Sequence, residues 1–103
     1  MFRYMVHTVM AIQNHIGKTT KKVFKADFKG YPADLVDRTM AMLVLLDAAK
    51  ELTDPESPPG NNLEALKGDR KGQHSVRINK QWRICFEWTP LGPADVEIVD
   101  YHK

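Results

Sequence analysis

The stretch Leu66–Phe86, LKGDRKGQHSVRINKQWRICF, decides how the rest of the chain is read. It holds six cations, Lys67, Arg70, Lys71, Arg77, Lys80 and Arg83, against one acid, Asp69. Asn79, Lys80 and Gln81 join two alternating runs, a connection suited to a tight hairpin. Alternation sends successive side chains to opposite faces of a sheet. From Trp82 to Trp88, this puts Trp82, Ile84, Phe86 and Trp88 on one face and Arg83, Cys85 and Glu87 on the other. In the neighbouring run His74, Val76 and Ile78 fall on the core side, leaving Gln73, Ser75 and Arg77 to share a face with Arg83. The predicted hairpin buries one face and presents cations on the other, as a surface for a polyanion requires.

Two further strands flank this hairpin in the reading, Leu63 to Lys67 before it and Val96 to Tyr101 after it, with a wider turn at Pro90, Gly92 and Pro93. Upstream the period changes to helical. Pro32 suits a first helical turn, and Asp34 and Asp37 suit its dipole. Leu35, Val36, Met40, Leu43, Leu46, Ala49 and Leu52 then make one apolar stripe about five turns long. A shorter helix is predicted from Gly17 to Gly30, with Val23, Phe24 and Phe28 inward and five lysines outward. The opening residues to about His15 read as a strand, and Asp54 to Asn61 as an irregular loop. The fold class is therefore α+β, two N-terminal helices packed on a mostly antiparallel twisted sheet.

A length of 103 residues predicts a single domain, residues 1–103, with 43% hydrophobic and 27% charged residues. The longest apolar run, Ala41 to Leu46, is too short to span a bilayer, so no membrane partner is expected. His7 interrupts the apolar opening and no small-residue cleavage site follows, which predicts a cytoplasmic product. The single Cys85 reads as a packing residue. The four histidines are dispersed and no carboxylate cluster has ligand spacing, so neither a metal nor another cofactor is implied. The net charge of +2 hides strong segregation. Residues 1–32 and 66–83 each carry six cations and one acid, whereas residues 33–65 carry two cations and seven acids. This fits a basic working surface on an otherwise acidic domain, and it fits solvated faces without a partner equally well.

Arg77 and Arg83 on adjacent strands, with Lys67, Arg70 and Lys71 beside them, form a set of guanidinium forks and ammonium charges suited to phosphate. The alternative for Arg77 or Arg83 is a surface cation or an ion pair with Glu87 or Glu97. The chain ends in Asp100, Tyr101 and His102, three groups able to exchange or donate protons. Cleavage of RNA through its 2′-hydroxyl needs such groups together with cations on the phosphate. Strict alternation from Val96, however, puts Asp100 and His102 on the core side and only Tyr101 on the face of Arg83. A bend near Asp100 would be needed to bring all three together.

From about Tyr31 to His102 the chain resembles the HigB-like toxins of the RelE/ParE superfamily, the plasmid-maintenance killer proteins of bacterial toxin–antitoxin pairs. The segments that carry the resemblance are LLDAAKEL, SPPGNNLEALKGDRKGQHSVRIN, QWRICFEW and DVEIVDYH. The family's opening strand matches around Ile12 to His15, which makes residues 1–11 an N-terminal extension.

The resemblance implies a RelE-like microbial ribonuclease fold and a toxin that enters the ribosomal A site and cleaves translated mRNA. It places substrate binding and cleavage on Lys67, Arg83, Asp100, Tyr101 and His102. Arg70, Lys71, His74, Arg77 and Lys80 become expected contacts to RNA or ribosome. The implied partner is a HigA-like helix-turn-helix antitoxin, which binds the toxin and links it indirectly to operator DNA. A family member's active-site His three residues before the Lys has no counterpart, because Glu64 stands there. Proton transfer is left to His102, Asp100 or His74. The alternative is a non-enzymatic toxin or binding module of the superfamily that acts on gyrase or the ribosome.

Overall fold

The computed structural model describes residues 12–56 and 59–101. The expected strand from the first residues falls mostly outside this range, as do His102 and the 1–11 extension. What is described of that strand runs parallel to a later one. Gln13 N–H donates to Pro93 O at 2.8 Å, Val96 N–H to Asn14 O at 3.1 Å and Ile16 N–H to Val96 O at 2.9 Å. His15 and Val96 form a parallel bridge there.

Helix α1 spans Lys18–Phe24 and is shorter than the sequence predicts. It ends in a Schellman turn: Asp27 N–H reaches Lys22 O at 2.8 Å and Ala26 N–H reaches Val23 O at 2.9 Å. Ala26 takes the left-handed conformation at φ 60°, a position usually filled by Gly, which is why Gly30 looked like the stop. Thr20 and Val23 are the buried residues of α1. Phe24 points outward instead and stacks on His15 with ring centroids 4.2 Å apart.

Helix α2 spans Val36–Asp47, about three turns rather than five, and follows a 3-10 turn at Ala33–Leu35. Leu35, Leu43, Leu46 and Ala49 are buried as the stripe predicts, but Met40 is exposed and Met42 buried in its place. The stripe runs through Thr39, which has no exposed surface and whose hydroxyl is satisfied by Tyr31 at 2.6 Å. A polar residue at the centre of the stripe displaced the sequence reading.

Among the described residues the sheet has four strands, β1 Glu64–Ala65, β2 His74–Arg77, β3 Trp82–Thr89 and β4 Gly92–Asp100, paired antiparallel in the order β1-β2-β3-β4. The last turn is tighter than expected. Gly92, at φ 124°, pairs with Thr89, so Pro93 already lies in β4. A register shift opposite Cys85 and Glu87, with Asp95 at φ 52°, makes a bulge in β4.

One buried cluster joins both layers. Val23 of α1 and Met42, Leu43 and Leu46 of α2 belong to it together with Val76, Ile84, Phe86, Val96 and Ile98 of the sheet. Two polar helix side chains, Thr20 and Arg38, tie the layers together through three hydrogen bonds. Ile98 N–H donates to Thr20 Oγ1 at 2.8 Å, and Arg38 of α2 donates from Nε to Ile78 O at 2.8 Å and from Nη2 to Arg77 O at 3.0 Å. The cluster holds one sheet face, which leaves the face of Arg83 for other uses.

Candidate functional site

Strand pairing turns the alternation of each strand into rows across the sheet. Glu64 lies opposite Ser75, Ser75 opposite Cys85, and Cys85 opposite Glu97. The adjacent row is Arg77, Arg83 and Val99. Ser75 and Cys85 have no exposed surface and form the floor. Charged groups then meet above a buried, weakly polar base, where their interactions are screened less than at an open surface.

Arg83 is held on three sides. Its Nε donates to Ser75 Oγ at 2.7 Å, its Nη2 donates to Asn62 O at 2.8 Å, and Nη2 lies 3.6 Å from Glu64 Oε1. Its carboxylate partner is thus Glu64 rather than Glu87 or Glu97. Glu97 pairs with Arg70 at 3.1 Å, and Arg70 is steadied by Gln73 Oε1 at 3.0 Å. Arg77 stands directly opposite Arg83, a like-charge pairing that is unfavourable without an anion nearby. Glu64 supplies part of that compensation, and a bound phosphate would supply more.

Tyr101 joins the same face. Its hydroxyl is 3.6 Å from Cys85 Sγ, and its N–H donates to Gln81 O at 2.6 Å, which prolongs the ladder past β4. Burial pushes the Tyr101 phenol above its ordinary range and contact with Cys85 adds to this, while the charges of Arg70 and Arg83 oppose it. Burial likewise pushes the Cys85 thiol up. Both therefore keep their protons at neutral pH, Tyr101 as a hydrogen-bond donor and Cys85 as a packing residue.

The remaining expected residues divide. Asp100 pairs with Trp82, so it lies on the face opposite Arg83, exposed, with Oδ1 accepting from Gln81 Nε2 at 3.0 Å. The bend that would bring it to Arg83 does not occur, because regular pairing continues through the strand end. His74 faces Phe86 in the register and stacks on it at 6.2 Å, away from Arg83, and its Nδ1 is buried without a hydrogen-bond partner among the described residues. Lys67 sits after β1, in extended backbone leading into the 3-10 turn Gly68–Arg70, and is exposed. Lys71 and Lys80 are exposed beyond that turn and at the hairpin tip, outside the strands, and His102 lies outside the described residues. Glu64, Glu97 and Asn62 were missed as part of the site. The sequence pointed to Glu97 only as an ion-pair alternative and to Glu64 only as the residue at the family's His position; their contacts follow from a register that only pairing reveals.

A cleft of about 340 Å³ lies away from this face, lined by Ile12, Phe24, Met40, Leu43, Val44 and Asp47 on the helical side. The Arg83 face spreads its charged groups over neighbouring strands, an arrangement that suits an extended anionic polymer.

The family described as "RelE-like toxin of type II toxin-antitoxin system HigB" matches residues 13–102. Over 72 residues the chain is 40% identical to a protein of Vibrio cholerae named "Toxin HigB-1", covering 70% of this chain and 75% of that one. Over 73 residues it is 34% identical to "Endoribonuclease HigB" of Proteus vulgaris, covering 71% and 78%. With its cationic sheet face in the matched region, the chain belongs to the HigB-like family of RelE-like toxins of type II toxin–antitoxin systems.

Proposed function

We propose that the protein is the growth-inhibiting toxin of a type II pair and acts as a ribosome-dependent endoribonuclease on translated mRNA. The observation that carries this reading is Arg83, fixed by its hydrogen bonds to Ser75 and Asn62, loosely paired with Glu64 and flanked on its face by Arg77 and the protonated Tyr101. A guanidinium fixed beforehand stabilises charge that develops on a phosphate without reorganising at the moment of reaction. Similarity to the protein named "Endoribonuclease HigB" supports the same activity. The fold is read as RelE-like, with the helices covering the sheet face opposite Arg83.

Within this proposal Arg83 binds the scissile phosphate, while Lys67, Arg70, Lys71, Arg77 and Lys80 engage flanking RNA or ribosome in the A site. Tyr101 and His102 serve on the proton-donor side, and Asp100 anchors the strand end through Gln81. A HigA-like helix-turn-helix antitoxin is the partner that holds the toxin silent.

The test is cleavage of a defined mRNA on programmed ribosomes, mapped by primer extension. Wild type is expected to cut within the translated frame. Arg83→Ala should not cut while remaining folded and bound by antitoxin. Absence of cutting by wild type would sink the enzymatic reading. Growth arrest that survives both Arg83→Ala and Tyr101→Phe would point to a non-catalytic toxin.

A further inference from the structure

Transfer of a phosphodiester to its own 2′-hydroxyl places the attacking and leaving oxygens on opposite sides of phosphorus. A site for it needs a proton acceptor on one flank of the phosphate and a donor on the other, with cationic charge between them. The sheet order supplies this arrangement. Arg83 stands on β3, β1 with Glu64 lies to one side beyond β2, and the strand of Tyr101 lies on the other.

Among the acids paired with the arginines of this face, Glu64 is the one with suitable access. Its side chain is 56% exposed and its contact with Arg83 is loose, at 3.6 Å. Glu97 is 26% exposed and closed by Arg70 at 3.1 Å. Asp100 is on the opposite face. Glu87, four residues along β3 from Arg83, is about 13 Å away by strand rise and lies beyond the bulge.

Resting on the endoribonuclease reading, we propose that Glu64 is the general base of the cleavage. Its carboxylate accepts the proton of the ribose 2′-hydroxyl, and the 2′-oxygen bonds to phosphorus. The bond from phosphorus to the 5′-oxygen then breaks, and that oxygen takes a proton from the β4 flank, where Tyr101 is the described donor. The products are a 2′,3′-cyclic phosphate and a 5′-hydroxyl, and both groups are reset from solvent, Glu64 releasing its proton and the Tyr101 phenolate regaining one. When the phosphate binds, it takes over the Arg83 guanidinium, and the loosely paired Glu64 carboxylate is released towards the 2′-hydroxyl.

The experiment measures single-turnover cleavage of a defined mRNA on programmed ribosomes as a function of pH, for wild type, Glu64→Gln and Glu64→Asp. Wild type should generate cyclic-phosphate ends and lose rate on the acid side. Glu64→Gln should lower the plateau rate about 100-fold or more with substrate binding changed less than about threefold, and should remove the acid limb. Glu64→Asp should keep the limb with its midpoint moved.

If Glu64→Gln cleaves within about threefold of wild type, the proposal is overturned. The same holds if it is slow but keeps the acid limb, since Glu64 would then only position Arg83. Should Glu64→Gln fail to fold, Glu64→Asp decides, and an unmoved limb overturns the assignment. No cleavage by wild type would overturn the parent reading, an outcome distinct from a fast Glu64→Gln.

Discussion

The Nε of Arg83 donates to Ser75 Oγ at 2.7 Å across the β2–β3 pair, and Ser75 has no exposed surface. A side chain on the floor of the face thus aims the guanidinium above it. Ser75→Ala should leave Nε without this partner, destabilise the fold by about 1–3 kcal/mol and lower mRNA cleavage about tenfold. Chemical denaturation and cleavage kinetics on the same preparation separate the two effects. Cleavage at the wild-type rate would show that Arg83 is aimed without Ser75.

Arg70 carries a different kind of expectation, because its guanidinium is shared with Glu97 at the rim of the face. Arg70→Ala should weaken ribosome or RNA association and lower the slope of log affinity against log salt by about 1. Binding titrations at several ionic strengths would show it. An unchanged slope would assign Arg70 to Glu97 alone.

Tyr31 and Thr39 share a buried hydrogen bond of 2.6 Å that fastens the link between the helices to α2. Tyr31→Phe leaves the Thr39 hydroxyl unpaired and should reduce stability by about 1–2 kcal/mol in urea titrations. Thr39→Val together with Tyr31→Phe should recover part of that loss, since both polar groups are then removed.

The pH dependence on the alkaline side follows from Tyr31, Tyr101 and Cys85, each raised above its ordinary range chiefly by burial. A group whose folded pKa is raised favours the protonated native state. Its contribution is present in full below the unfolded pKa and is lost as pH rises through the folded one. Melting temperature should therefore hold through neutral pH and fall above about pH 9. Cys85→Ala and Tyr31→Phe should each flatten that fall. A melting temperature unmoved up to about pH 11 would contradict it.

Leu46 has no exposed surface and belongs to the cluster that joins helix and sheet. Leu46→Ala should destabilise by about 2–5 kcal/mol, while truncation of the exposed Val44 two residues away should move stability by less than about 0.5 kcal/mol. Equal effects would show that the interior is packed differently.

Much of the face was legible from alternation alone. Arg83 and Ser75 share a side, Tyr101 joins them, and Asp100 does not, as period two from Val96 predicts. Local rules sufficed there because a strand's pleat is a property of its own backbone. The helices were legible in kind but not in extent. Ala26 ends α1 in a position that its residue type does not announce, and the buried Thr39 hydroxyl finds its partner in Tyr31, eight residues away.

The sequence by itself determined an α+β chain whose basic hairpin has one apolar and one cationic face, and it carried the family resemblance. Only the tertiary structure decided that Glu64, nineteen residues before Arg83, stands beside it, that Arg70 is taken by Glu97, and that His74 faces Phe86. These relations depend on register between strands. Register comes from the pairing and burial of the whole sheet, so no single segment encodes it.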